Sequence, residues 1–293
     1  MEDRLITYGG QAVIEGVLMR GRKSCAMANR APDGSIVVTH IPLGRIYQSK
    51  LTKIPFLRGL ILLWDALGLG MKALTQAANL QSGEDEKIEG GSLFAAILFA
   101  ILVVVGIFFL TPAGVGWLTE RFLNWNAWWS NLLEGVIRLL FLIAYIWGIG
   151  FMPDIRRVFA YHGAEHKTVN AYEAGAELTP AQVKKYPISH TRCGTAFLLT
   201  LMILSLLIFT LLGPLPLGWR LISRVVMIPV IAGIAYEYIR WTASHIKSPL
   251  VQFLVKPNLA LQSLTTREPD EKMLEVAITA FEAMRKTEEE IQG

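Results

Sequence analysis

The chain reads as a mainly α-helical, polytopic membrane protein. The expected parts are about four transmembrane helices, an interfacial amphipathic helix and a small N-terminal β-rich cytoplasmic unit. Three observations predict this class. Apolar residues make up 53% of the 293 residues and charged residues only 18%, at a mean hydropathy of +0.41, and soluble domains carry more charge than this. Four segments, 93–113, 132–152, 195–212 and 221–242, are long and apolar enough to cross a bilayer. Lys and Arg alternate between the connections as the positive-inside rule requires.

Residues 1–53 form the β-rich unit. Met1-Glu2-Asp3-Arg4 leads into mixed sequence with no apolar core, so no secretory signal is expected and the N-terminus starts in the cytoplasm. Gly9-Gly10 and Gly21 punctuate the unit. Segments 24–30 and 35–41 flank Ala31-Pro32-Asp33-Gly34, which is turn chemistry, and Ile36, Val37 and Val38 suit a strand. Residues 54–91 hold an amphipathic helix over 56–80, then a polar, acidic linker over 81–91. Asp65, Lys72, Gln76 and Asn79 fall in one narrow helical stripe. If this helix crossed the membrane, every later span would flip. It is therefore expected in the inner interface or against the spans, with a re-entrant hairpin as the alternative.

Residues 92–152 hold the first two spans. Glu134 and Arg138, spaced i and i+4, are expected to pair at the membrane edge. The connection between these spans carries only Arg121, whereas the 153–194 loop carries Arg156, Arg157, Lys167, Lys184, Lys185 and Arg192. That loop and both termini are therefore expected inside a multi-pass cytoplasmic-membrane protein. Trp117, Trp125, Trp128 and Trp129 form an aromatic belt at the other surface. Residues 195–242 hold spans three and four. Residues 243–293 form a cytoplasmic tail whose last helix follows Pro269, with Leu274, Ala277, Ile278, Phe281 and Met284 on one face. Asp270 and Glu271 lie in its first turn. Two cysteines are too few for a disulfide framework, and Cys25 reads as a reduced thiol in the β-rich unit. The net charge of +4 needs no nucleic-acid partner.

The chemistry concentrates in His162-Gly163-Ala164-Glu165-His166. Imidazoles four residues apart share one helix face, where both can hold one divalent metal. The adjacent carboxylate can ligate the ion or act as a base toward water, and His-x-x-Glu-His is the order of the inverted zincins. His162, His166 and Glu173 fall within about 40° around the helix. Glu173 lies about 10 Å along the axis from His166, so both reach one ion only if the helix breaks or two metals bind. His190 and the soft ligand Cys193 arrive at the same membrane face. The expected metal ligands are therefore His162, His166, Glu173, His190 and Cys193, with zinc the expected ion. Glu165 and Glu237 are the candidate catalytic carboxylates. Glu237, near the inner end of the fourth span, needs a partner, either Arg240 or the metal and its histidines. Gln11, Glu15 and Arg192 are candidates to meet substrate or orient the ligands.

At these residues the chain becomes recognisable. Segments 9–21 (GGQAVIEGVLMRG), 162–173 (HGAEHKTVNAYE), 190–195 (HTRCGT) and 264–270 (LTTREPD) resemble, in order, the motifs of the YqhQ-like family. These are bacterial membrane proteins of unknown function. The resemblance spans nearly the whole chain and departs at Thr191, where proline is expected. It implies metal-dependent chemistry at the bacterial inner membrane and supplies no substrate. In 265–269, capping of the last helix is the role read from the residues.

The leading expectation is a membrane metalloenzyme, a hydrolase at the cytoplasmic surface acting on a lipid-linked or membrane peptide substrate, with Glu165 as base. The alternative is a non-enzymatic scaffold or transporter-associated protein with a structural metal. The bilayer is the expected partner, and a homo-oligomer is compatible with the pattern.

Overall fold

Residues 9–40 alternate short apolar runs with glycine-bearing turns, and they form a four-stranded antiparallel meander. Its strands are β1 (Gly9–Val13), β2 (Gly16–Arg20), β3 (Cys25–Arg30) and β4 (Ile36–His40), in that spatial order. The computed structural model describes residues 8–44, 50–82, 91–213 and 215–292. Val13 pairs with Gly16, leaving Ile14-Glu15 as the hairpin loop, with Glu15 in the left-handed region at φ 50. The second predicted turn closes β3 onto β4 with Gly34 at φ 88 and the Asp33 carboxylate accepting from Ser35 N at 2.9 Å.

Both faces of the sheet are covered. Strand periodicity sends Val17, Met19, Ala26 and Ala28 to one face, and Leu18, Cys25 and Met27 to the other. The first face packs on helices α5 (Pro153–Glu173) and α11 (Glu271–Gln292). The apolar face predicted for the last helix is the one buried, with Leu274, Ala277, Phe281 and Met284 all at 0% exposure. Each large side chain there contributes about 1.5–3 kcal/mol relative to exposure. The cap of α11 is Asp270, whose carboxylate accepts from Met273 N at 2.8 Å. The 265–269 segment does not supply it, because the Thr265 and Thr266 hydroxyls turn back to Gln262 O.

The second face packs on α1 (Leu57–Gln81) through Leu69, Ala73 and Ala77. Asp65 of the polar stripe meets Arg20 at 2.5 Å. Lower on α1, Gly59 lies against Tyr236, while Trp64, Leu67, Met71 and Leu74 remain exposed. A single unbroken helix here takes the place of the hairpin alternative. The linker predicted at 81–91 lies largely outside the described residues, as does the segment 1–7.

Among the described residues, three helices are long and apolar enough to cross a membrane, four if one bent pair counts as a single span. The first runs Phe94–Leu123, through α2 (Gly91–Val105), a π turn (Gly106–Leu110) and α3 (Thr111–Leu123). It outruns the predicted segment by a turn and more. The second is α4 (Ala127–Ile149), capped by Asn126 Oδ1 on Trp129 N at 3.1 Å. Because α4 starts at Ala127, Arg138 is its middle residue; Glu134 and Arg138 are buried, and their predicted place at an edge is corrected.

A short helix, α6 (Pro180–Val183), precedes α7 (Gly194–Leu211), the third candidate span. The predicted fourth span is two helices, α8 (Leu217–Val226) and α9 (Ile228–Ser244), bent by 40°. Pro229 in the first turn of α9 cannot continue a preceding helix. The tail contributes one more helix, α10 (Pro249–Thr265), which packs on α7 through Leu261 and through Asn258, bonded to Thr200 at 3.2 Å.

Candidate metal centre

Helix α5 carries His162, Glu165 and His166 into the junction of three segments. Gly163 lets the Arg267 backbone approach, since a Cβ there would lie under 3.0 Å from the Arg267 carbonyl oxygen. Gly10 of β1 leaves room for Glu165, whose Cγ would be 2.9 Å from an added Cβ. Gly10 of the first motif thus admits the second, and Gly163 of the second admits the fourth.

His162, His166 and Cys193 offer ligand atoms that all lie within 4.8 Å of one another. Cys193 caps α7, with Sγ 3.2 Å from His162 Nε2. His162 Nδ1 donates to the Thr265 carbonyl at 2.9 Å, and His166 Nδ1 donates to the Ile188 carbonyl at 2.6 Å. A carbonyl only accepts, so each Nδ1 carries a proton and each neutral ring presents the Nε2 lone pair. That is how backbone acceptors orient metal-binding imidazoles. Glu165, 4% exposed, sets Oε2 3.4 Å from His166 Nε2.

Charges in the cluster are coupled. Burial pushes His162 down, but the hydrogen bond to Cys193 and the charges of Cys193 and Glu165 outweigh it and raise the ring to about 9. Burial likewise opposes the rise of His166, which Glu165 and Cys193 drive. Burial pushes the Cys193 thiol up, and the two imidazoles pull it well below its ordinary value. The thiol and the imidazoles thus favour each other's charged forms, and a cation can take the place of the protons held on the rings.

The other predicted residues fall elsewhere. Glu173 is not in the three-residue group. It pairs with Arg192 and lies 3.6 Å from His190 Nε2. His190 stands beside the cluster, its ring 5.7 Å from that of His166 and its backbone held by Gln262 at 2.8 and 2.9 Å. Glu15 takes two bonds from Arg157, at 2.5 and 2.7 Å, and one from Tyr161 at 3.2 Å. Gln11 donates to Ala66 O on α1 at 3.1 Å. Glu237 accepts from Arg58 at 2.7 Å and from Phe56 N at 3.0 Å, so Arg58 is a partner that its own helix did not reveal.

Sequence reasoning missed the residues that hold the wall of the site. Lys167 Nζ donates to the carbonyls of Lys184 and Tyr186, both at 2.8 Å. Asn170 donates to those of Pro187 and Ser189 at 2.9 and 3.0 Å. With His166 on Ile188, one turn after another of α5 grips the 184–189 backbone. Polar residues at helical spacing inside a motif were the available signal.

The family model "Protein of unknown function (DUF1385)" matches residues 54–287. The chain is 35% identical over 298 residues to "Uncharacterized protein YqhQ" of Bacillus subtilis (strain 168), covering 96% of this chain and 93% of that one. No solved structure matches.

Proposed function

The chain belongs to the YqhQ-like family of proteins of unknown function, DUF1385, and we propose that it is a membrane-embedded, metal-dependent hydrolase working at the cytoplasmic surface. The observation that carries this reading is the convergence of two oriented imidazoles and a cysteine sulfur, with a buried carboxylate at its edge. The donor set fits zinc, which accepts both nitrogen and thiolate sulfur. Three protein ligands leave a fourth position open, the pattern of catalytic sites, whereas structural sites close with four.

A divalent metal held there supplies Lewis acidity toward an oxygen of water or substrate. The chain's own contribution is position and proton transfer. Thr265 and Ile188 fix the ring orientations, Cys193 lends negative charge, and Glu165 stands where a carboxylate can take a proton. The surroundings support a membrane setting. The long helices expose Phe99, Leu102, Leu140 and Leu207, while the basic residues gather on 153–194, the segment that carries the cluster. A lipid-linked or membrane peptide substrate follows from that address.

The test uses zinc-loaded protein in proteoliposomes, presented with phosphoester, carboxyl ester and peptide substrates. Glu165→Gln should keep its metal and lose hydrolysis by about 100-fold or more, the usual worth of a general base. Equal hydrolysis by wild type and Glu165→Gln, or none by either, favours the scaffold with a structural metal.

A further inference from the structure

Lys167 counts among the basic residues of the 153–194 segment, yet it does not face solvent: it is 4% exposed. It directly follows His166 on α5. A lysine ammonium has three N–H donors and no acceptor. Here three oxygens converge on it. Nζ donates to the carbonyls of Lys184 and Tyr186 at 2.8 Å each, and pairs with Glu268 Oε1 at 2.7 Å. Desolvation offsets much of what such buried bonds contribute to stability. What the three bonds supply is position.

The three acceptors belong to two segments, and each segment carries one of the carbonyls that orient the histidines. The 184–186 backbone leads to Ile188, whose carbonyl accepts from His166 Nδ1 at 2.6 Å. Glu268 ends the short stretch that starts at Thr265, whose carbonyl accepts from His162 Nδ1 at 2.9 Å. Residues 184–193 and 266–270 form neither helix nor strand. Their carbonyls therefore point where side chains and neighbouring backbone hold them. Gln262 fixes the far end of the first segment through the backbone of His190, at 2.8 and 2.9 Å. Arg267 N, bonded to Phe159 O at 2.9 Å, fixes the second against α5. Lys167 reaches both. An ammonium suits that task because its donors radiate from one atom, whereas a guanidinium spreads them over a planar fork.

We propose that Lys167 is a positioning residue of the metal centre. One ammonium draws both irregular segments onto α5, sets the Ile188 and Thr265 carbonyls, and through them orients the two imidazoles together. The assignment rests on the metal reading of the cluster and adds to it the group that links the two histidines.

The test uses the full-length protein in detergent. Zinc affinity is measured by competition with a chelator, and ligand geometry by the visible absorption of the cobalt(II)-loaded protein. The cobalt bands report how the ligands are arranged, which a general loss of stability does not move. Lys167→Met keeps the length and removes the donors. It should weaken zinc about 10–100-fold, as when a partner orienting a metal ligand is lost, and should shift the cobalt spectrum at saturating metal. Lys185→Met is the control: that side chain is exposed and bonds only to Gln182 Oε1, at 2.8 Å, so zinc affinity should match wild type. If Lys167→Met fails to fold, Glu268 decides, since its side chain is 61% exposed. Glu268→Leu should weaken zinc by about tenfold, the lower end of the same range, whereas Glu268→Gln keeps an accepting oxygen and should stay near wild type. A folded Lys167→Met with wild-type affinity and spectrum overturns the assignment, as does a Glu268→Leu that binds like wild type. Wild-type protein that binds neither zinc nor cobalt overturns the metal reading itself, and the assignment with it.

Discussion

Gly163→Ala separates helix propensity from packing by the sign of its effect. Propensity alone favours alanine inside a helix by about 1 kcal/mol. The structure opposes it, because the new Cβ would lie under 3.0 Å from the Arg267 carbonyl oxygen. That oxygen cannot withdraw alone, since the Arg267 N–H is bonded to Phe159 O at 2.9 Å on the same helix. Overpacking of this kind costs roughly 1–3 kcal/mol. Pushing the segment away also stretches the bond from His162 to Thr265 O, about 1 kcal/mol more. The expected net is a loss of about 1–3 kcal/mol of stability, the overpacking and hydrogen-bond losses exceeding the propensity gain. Zinc affinity should fall about 10–100-fold, as when a partner orienting a metal ligand is lost. Gly68→Ala is the control: it lies within α1 with nothing within 4 Å of a new Cβ, and it should gain up to about 1 kcal/mol. Thermal and denaturant unfolding, followed by tryptophan fluorescence, and zinc titration measure both effects. A Gly163→Ala protein as stable as wild type, with unchanged zinc affinity, refutes the packing argument.

Metal-stripped protein should be alkylated by iodoacetamide at Cys193 before Cys25. Burial pushes the Cys25 thiol up to about 11, whereas the imidazoles lower Cys193; peptide mass spectrometry should find zinc protecting Cys193. Glu15→Gln should lose stability at neutral pH and match wild type in acid. The hydrogen bond from Arg157 holds the Glu15 carboxyl below 4.5. A depressed carboxyl contributes above its unfolded value and stops contributing as pH falls through the folded one, so the gap between the proteins should close on the acid side of 4.5. A single cysteine placed at Lys184 should resist an impermeant thiol reagent in intact cells, and one at Asn126 should react; the reverse pattern inverts the proposed orientation.

The parts legible in the sequence are those that local spacing controls. His162 and His166 share a face because the helical period puts them there, and the buried face of α11 follows from the same count. The Asp33-Gly34 turn follows from its own chemistry. What was not legible depends on segments distant in sequence. Glu173 lies in the angular stripe of the histidines, yet Arg192 and His190 return beside it and take its carboxylate. Glu237 finds Arg58 from another helix as well as the charge of Arg240 from its own. Glu134 and Arg138 look like a lone surface pair until α8 is recognised as a separate helix that brings Arg224 to them. Hydropathy treated 221–242 as one span and so hid the break at Met227. Thr265 was read as capping chemistry, because its carbonyl, not its side chain, serves His162.

The most direct test of the central claim is X-ray absorption at the zinc edge on gently purified protein, with the metal content of the same sample. The expected result is one zinc per chain with one sulfur at about 2.3 Å and two imidazole nitrogens at about 2.0–2.1 Å, the sulfur disappearing in Cys193→Ser. Protein that carries no stoichiometric metal and binds none on titration, or a metal shell without sulfur, contradicts the account.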